Sequence, residues 1–367
     1  MNDQSPETPP VSVPHADLQH FVRTCFVQAG LHGSEADDVA ASLVDSDLRG
    51  THSHGVIRLP FLVARLVDGG AKRQAEVRVL QDAPATALLD GDGALGAVTA
   101  TAAMRLAVDK ARTQGIAMVA ATNSDFVGAC AHYAMMALPH DMIGLAWTNG
   151  YPGMAPWGGR RNTIGNNPIA LAAPSASHGP IVLDMALSVA AGGKVRLAAK
   201  KGEAIPSGWV ITGDGHDTTD PADLPAGGAL LPLGYKGYGL AVFGEILCGA
   251  LTGARMLGEI PAWFQATEQR IGNGHMHIAI DIARLTDAQQ FKQRVDTMVA
   301  MLKATPLVPG VQQILMPGER AWATQQRQLR EGITLPRNVA QDLHALGIRL
   351  GVPLPEALAS RQAIEPA

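Results

Sequence analysis

The sequence predicts an α/β protein in which a large α/β domain is inserted into a helical domain formed from both chain ends. Three observations carry this reading. The length of 367 residues exceeds the roughly 250 to 300 at which a single hydrophobic core stops growing, so two packed domains are expected. From about residue 77 to 290, short apolar runs alternate with helix-like segments and Gly/Pro-rich turns, which is the α/β pattern. On either side of that stretch, apolar residues recur at helical spacing. The expected boundaries are a disordered tail over 1–12, a helical domain over 13–76 plus 288–367, and an α/β domain over 77–287.

The opening "MNDQSPETPPVSVP" is polar and proline-rich and lacks the charged start and apolar core of a signal peptide. A first helix over 16–29 carries Leu18, Phe21, Val22, Cys25 and Phe26 on one face and stops at Gly30. A second starts at Ser34, with Asp37 three residues on in a capping-box arrangement, and runs through Val39, Leu43, Val44 and Leu48 to Gly50. The runs "TALLD", "IAMVAAT", "MIGLAWT", "PIVLDM" and "HMHIAID" read as strands. "GYGLAVFGEILCGALTGARML" is interrupted by Glu245 and several glycines. It falls short of the about 20 apolar residues that span a bilayer, and reads as a buried helix. After 287, Phe291, Val295, Met298, Val299 and Leu302 share a helical face, and "LPRNVAQDLHALG" opens a last helix at Pro336 and closes it at Gly347.

Composition narrows the partners. With 47% hydrophobic residues, 17% charged residues and a formal net charge of -4, the chain has no basic excess for a nucleic acid backbone and no membrane segment. A small-molecule partner is expected. Cys25, Cys130 and Cys248 are odd in number and widely spaced, which argues against a disulfide framework and a cysteine zinc site and fits a reducing cytoplasm.

Gly91, Gly93 and Gly96 in "TALLDGDGALGAVTA" have the G-x-G-x-x-G spacing of a dinucleotide-binding turn. The acidic residue that would meet a ribose belongs about 20 residues further on, and Asp125 lies too far along. A tight strand-to-helix turn is the better reading. In "RGTHSHGVIRLP", Arg49, His52, Ser53, His54 and Arg58 crowd around Gly55 at a helix end. Histidine exchanges a proton near neutrality, and a guanidinium grips a carboxylate with two parallel hydrogen bonds. That pairing suits a 2-oxo or 2-hydroxy acid. A metal-dependent hydrolase competes, because His52/His54 and His275/His277 are H-x-H pairs and a strand would put His275, His277 and Asp281 on one face.

"THSHGVIRLP", "NGYPGMAPWGGRRNTIGNNPIALAAP", "PIVLDMALSVAAGGK", "IPSGW", "TTDP", "LPLGYKGYGLAV" and "PGE" stand in the order of the malate/L-lactate/ureidoglycolate dehydrogenase family, which the chain resembles over about residues 12 to 352. The resemblance implies a non-Rossmann NAD- or NADP-binding α/β fold, a small carboxylate substrate and a homodimer. It implies catalytic roles for His54 as proton donor, with Ser53 and Asp184 as its relay, and places the substrate carboxylate on Arg58. Asp184 also reads as a helix N-cap. Asn123, Ser124, Ser188, Tyr235, Lys236, Gly318 and Glu319 match the cofactor-binding positions. No metal is implied. Two positions depart from the pattern: Phe126 stands where many members have a histidine in N-S-x-H-x-G, and Asn166 replaces Thr in G-T-N-P. Phe126 leaves open whether the substrate is a 2-oxo acid or an imino acid.

Overall fold

The computed structural model describes residues 10–360; the expected tail before residue 10 lies outside the described residues. In chain order the elements begin with β1 (Val11–Val13), α1 (His15–Gln28), α2 (Gly33–Leu48), α3 (Leu59–Asp68), β2 (Arg78–Asp82), β3 (Thr86–Asp90), α4 (Gly96–Gln114), β4 (Ile116–Ser124) and α5 (Cys130–Met135). They continue with β5 (Met142–Thr148), β6 (Ile169–Ala173), β7 (Ile181–Met185), α6 (Gly192–Lys201), β8 (Val210–Ile211), β9 (Asp217–Thr218), β10 (Ala229–Leu230), α7 (Gly234–Glu245) and β11 (Asn273–Asp281). The last are α8 (Ala288–Lys303), α9 (Glu319–Glu331), β12 (Ile333–Leu335), α10 (Arg337–Leu350) and α11 (Glu356–Ala359). The chain divides into two compact units, one reaching Gly69 and resuming at Arg320, the other Gly70–Glu319.

In the smaller unit, α1 buries the expected face of Leu18, Phe21, Val22, Cys25 and Phe26. Residues 11 and 12, expected in the tail, form a strand: β1 pairs antiparallel with β12 and the Val-Ser-Val alternation buries both valines. The start of α2 is also corrected. Its N-cap is His32, whose N–H donates to the Glu35 carboxylate at 3.4 Å, so the reciprocal pair sits two residues before the expected Ser34/Asp37. Gly347 lies inside α10, which ends at Leu350 with Gly351 in the left-handed conformation. A side chain at 347 would meet the Phe21 ring at 3.1 Å, so that glycine serves close helix packing rather than termination.

The larger unit is built on a seven-stranded sheet of order β2-β3-β4-β11-β5-β6-β7. Within it β3 and β4 are parallel, and the other neighbours run antiparallel. A doubly wound dinucleotide fold is mostly parallel, so the glycines at 91–96 belong to a strand-to-helix turn between β3 and α4. Gly96 is there for space, because a Cβ would sit 2.3 Å from the Asp125 carbonyl oxygen. The core on one face of β11 gathers Met276 with Trp147, Leu187, Val195, Ala241 and Cys248. His275 and His277 take the opposite face by strand alternation. A small sheet of order β10-β8-β9 completes this unit. The helix α8, expected in the helical domain, groups with the sheet unit, where Asp296 accepts from the Ser177 hydroxyl at 2.6 Å and Lys292 pairs with Asp141.

The apolar stretch around α7 departs from the expected buried helix. α7 runs into a π-helical turn, Ile246–Ala250, and Leu240, Phe243, Ile246 and Leu251 are exposed along it. Ala241, Gly244 and Cys248 bury its other side. No helix among the described residues is long and apolar enough to cross a membrane.

Candidate active site

The "THSHGVIR" segment comes after α2 as two short 3-10 turns, His52–His54 and Val56–Arg58. Its shape depends on Asp47, in the last turn of α2 and 1% exposed. That carboxylate accepts from the Val56 N–H at 2.6 Å and from His52 Nδ1 at 2.8 Å, so one buried anion folds the loop back on the helix. Burial raises the Asp47 pKa, and the bonds from His52 and Val56 act the other way. Gly55 is required: a Cβ there would lie 2.2 Å from the Asp47 carboxylate.

On this scaffold Ser53 Oγ meets His54 Nδ1 at 2.9 Å, and Arg58 Nε donates to the Ser53 carbonyl at 2.7 Å. Three of the expected residues are therefore joined within one loop. Burial first, then the adjacent Arg58 charge, pushes the His54 pKa down to about 4. With Nδ1 engaged by a hydroxyl that can donate or accept, Nε2 is the nitrogen suited to proton exchange. Asp47 is the anchor of this loop that sequence reading missed; its signal is an acid spaced five residues before His52 on the last helical turn.

The other expected residues belong to the sheet unit. Asp184 sits in β7, and its carboxylate accepts from the Ala131 N–H at 3.3 Å. It therefore caps α5, a helix remote in sequence, instead of the segment after its own strand. Asn123, at a positive φ of 51°, is the penultimate residue of β4 and donates to Asp90 at 3.0 Å. Ser124 is buried, and its hydroxyl meets His275 Nε2 at 2.8 Å. Phe126 stacks on Trp263 with ring centres 4.2 Å apart and belongs to an apolar cluster with Tyr151, Phe264, Ile260 and Ile271. Gly318 has a φ of 81° beside β7, where a Cβ would strike the Val182 carbonyl oxygen at 2.8 Å. Glu319 pairs with Lys303 and accepts from the Met316 N–H, and these bonds hold its carboxyl below the usual range.

Two helix starts lie side by side, and this feature fits an anionic cofactor. Val189 N donates to the Leu231 carbonyl at 2.9 Å and Leu233 N to the Leu187 carbonyl at 2.8 Å, lacing the segment before α6 to the segment before α7. Ser188, bridged to Pro232, closes its turn through a bond to the Ala190 carbonyl. Neither helix has an acid in its first turn, and Lys194 and Lys236 lie within those turns. A Cβ at Gly193 or Gly234 would meet nothing within 4 Å, so both starts are open. Helix N-termini, unblocked glycines and lysines together suit a dinucleotide's phosphates. Tyr235 is exposed beside them, with the Lys236 ammonium 5.9 Å from its ring centre.

The metal reading loses its geometry. His275 Nδ1 meets His277 Nε2 at 2.9 Å, so these nitrogens face each other and Ser124. Asp281 lies four residues beyond His277, about 13 Å along a strand, and its carboxylate accepts from the Ala283 N–H. Among the described residues, no three His, Cys, Asp or Glu side chains are grouped to hold a metal ion.

The mostly antiparallel sheet and the two laced helix starts set the larger unit outside the Rossmann class. The family profile described as malate/L-lactate dehydrogenase matches residues 13–344, and the chain belongs to that family. A malate dehydrogenase from Pyrococcus horikoshii is 37% identical over 351 residues, covering 93% of this chain and 96% of that protein. The ureidoglycolate dehydrogenase (NAD(+)) of Escherichia coli K12 is 32% identical, with 89% and 93% covered. A Delta(1)-pyrroline-2-carboxylate/Delta(1)-piperideine-2-carboxylate reductase from Pseudomonas putida is 33% identical, with 92% and 97% covered. The solved malate dehydrogenase of Pyrococcus horikoshii OT3 superimposes with a TM-score of 0.86 at 35% identity, covering 94% of this chain and 97% of that one.

Proposed function

We propose that this chain interconverts a 2-oxo acid and its 2-hydroxy acid with NAD or NADP, and that His54 handles the proton. The observation that carries the reading is the Ser53–His54–Arg58 arrangement on one loop, a proton-exchanging nitrogen beside a guanidinium. When bound, the nicotinamide cofactor supplies or accepts the hydride. Arg58 holds the substrate carboxylate, and its charge is then compensated, which raises the His54 pKa toward a useful acid. Ser53 Oγ accepts from Nδ1–H in both directions: the imidazolium gives its Nε2 proton to a carbonyl oxygen, and the neutral Nδ1–H ring that remains has Nε2 free as base for the alcohol. The family resemblance makes Asp184 a relay partner of His54. Asn123, Ser124, Ser188, Tyr235, Lys236, Gly318 and Glu319 form the cofactor's surroundings.

Cofactor binding alone should raise the melting temperature, since a ligand of the folded state adds to unfolding free energy. Lys236→Ala should weaken NADH and NADPH about tenfold, read by fluorescence titration, with the melting temperature of the free protein unchanged. An unaltered affinity removes Lys236 from the phosphate site.

A second reading, reduction of a cyclic imino acid, is favoured by the Phe126–Trp263 stack, an apolar wall at the position where relatives of the motif carry a histidine. Phe126→His should then raise the rate with 2-oxo dicarboxylates relative to Delta(1)-pyrroline-2-carboxylate. Unchanged ratios would detach Phe126 from specificity. The exposed stripe Leu240, Phe243, Ile246 and Leu251 supports a homodimer, which light scattering at micromolar concentration tests. The three cysteines are buried and free, in keeping with a cytoplasmic setting.

Acid should destabilise the protein through its buried histidines. Burial depresses His275 to about 3 and drives His277 lower than its usual range, so between about pH 6.5 and 4 the unfolded chain binds more protons than the folded one. Stability then rises with pH across that window and is lost as pH falls. Urea unfolding of a His275→Phe/His277→Phe variant should show a flatter pH dependence there than the parent protein.

A further inference from the structure

The central strand β11 carries two imidazoles that the proposed chemistry does not use. His275 and His277 are both fully buried, and they form a hydrogen-bonded line: His277 Nε2 to His275 Nδ1 at 2.9 Å, then His275 Nε2 to Ser124 Oγ at 2.8 Å. The far end, His277 Nδ1, is buried without a hydrogen-bond partner among the described residues, and the Tyr133 ring stands nearly perpendicular to the imidazole with centres 5.8 Å apart. Ser124 at the near end closes β4 beside Asn123, and its carbonyl accepts from the Gly272 N–H at 3.0 Å. The line therefore ties the middle of the sheet to the turn that carries Asn123 and Phe126.

The geometry points to Ser124, His275 and His277 acting as one directional positioning chain, each imidazole donating toward Ser124 and so fixing the Asn123–Phe126 turn for the cofactor. This rests on the proposed placement of that turn in the cofactor's surroundings. The direction comes from the orphaned nitrogen. Burial keeps both rings neutral, so each carries one N–H. Three hydrogens, one on each ring and one on the Ser124 hydroxyl, serve two hydrogen bonds, so one is left over: on His277 Nδ1 it would be fixed in the ring plane with no acceptor, whereas the Ser124 hydrogen sits on a rotor and can turn aside. His277 therefore leaves Nδ1 bare and carries its hydrogen on Nε2, which donates to His275 Nδ1. His275 must then carry its hydrogen on Nε2, which donates to Ser124 Oγ. Ser124 Oγ is thus held as an acceptor at the head of the turn, with its own hydrogen turned away from His275.

Removing the acceptor makes the two directions equivalent, because in Ser124→Ala either direction leaves one buried N–H and one lone pair unpartnered. The test uses the full chain with ¹⁵N-labelled histidine. In the wild type the ring nitrogens of His275 and His277 are expected to report a single tautomer, Nε2–H on both, and in Ser124→Ala a mixture. Nδ1–H on either ring of the wild type overturns the proposal. A second readout is NADH affinity: His275→Phe is expected to raise the dissociation constant about tenfold, and Ser124→Ala/His275→Phe no further, since the two act as one unit. His275→Gln, which offers an amide donor, is expected to recover part of the loss and serves if the Phe variant does not fold. If Lys236→Ala weakens NADH but neither His275 variant does, the positioning chain is refuted and the cofactor reading stands. If Lys236→Ala and the His275 variants all leave NADH affinity unchanged, both fail.

Discussion

Replacing His54 with Asn lowers turnover by roughly 10²- to 10⁴-fold, the usual size of a lost acid or base, with cofactor affinity nearly unchanged. Phe126 has no proton to give, and Arg58 stays charged at all working pH values, so neither can substitute. The pH profile identifies the group. For oxidation of the hydroxy acid, His54 must be neutral, and kcat/KM reports the free enzyme; it should stay level from neutrality downward and fall only as pH drops through about 4, the value to which burial and Arg58 push this ring. Arg58→Lys is distinguished by kinetics. It should raise KM strongly with a smaller effect on kcat, because a point charge does not reproduce a bidentate grip. Near-normal kcat in His54→Asn at saturating substrate would assign the proton to another donor.

Asp47→Ala carries the second large effect, and it is one of stability as well as rate. The Asp47 carboxylate holds the Val56 N–H at 2.6 Å and His52 Nδ1 at 2.8 Å. Deleting it leaves a buried N–H without an acceptor and a small void, a loss of about 2 to 3 kcal/mol. The loop that presents Ser53, His54 and Arg58 loses its anchor at the same time, so kcat/KM should fall by at least tenfold at a temperature where the variant is still folded. Asp47→Asn, with one acceptor oxygen, should recover part of both. Urea denaturation and steady-state kinetics on the same preparations measure the two effects; a destabilised variant with full kcat/KM would separate Asp47 from the active loop.

The pattern of apolar runs makes the strands and terminal helices readable, because side-chain period reflects which face is buried. Local signals fail where a remote partner decides. Asp184 reads locally as a cap for the segment after its strand, but its acceptor oxygen serves α5, and only the sheet brings the two together. Gly347 reads as a helix stop, yet α10 continues past it because the glycine admits Phe21. The Val11–Val13 strand is hidden in a polar, proline-rich stretch, since its partner β12 is more than 300 residues away. The stretch around α7 looks buried on hydropathy alone, which does not tell a core from an uncovered face. Within the site, the Ser53–His54–Arg58 cluster is visible as neighbours in sequence. Asp47 is legible only as an acid five residues before His52, and the His275–Ser124 contact joins residues about 150 apart that no short motif encodes.

The most direct measurement tracks nicotinamide absorbance on purified protein with NADH and NADPH against a panel of 2-oxo acids and cyclic imino acids. An NAD(P)-dependent oxidoreductase of this family should consume at least one cofactor with at least one of these carboxylates, and His54→Asn should abolish most of that rate. Cofactor that binds and stabilises the protein but is never oxidised with any member of the panel would contradict the proposed reaction.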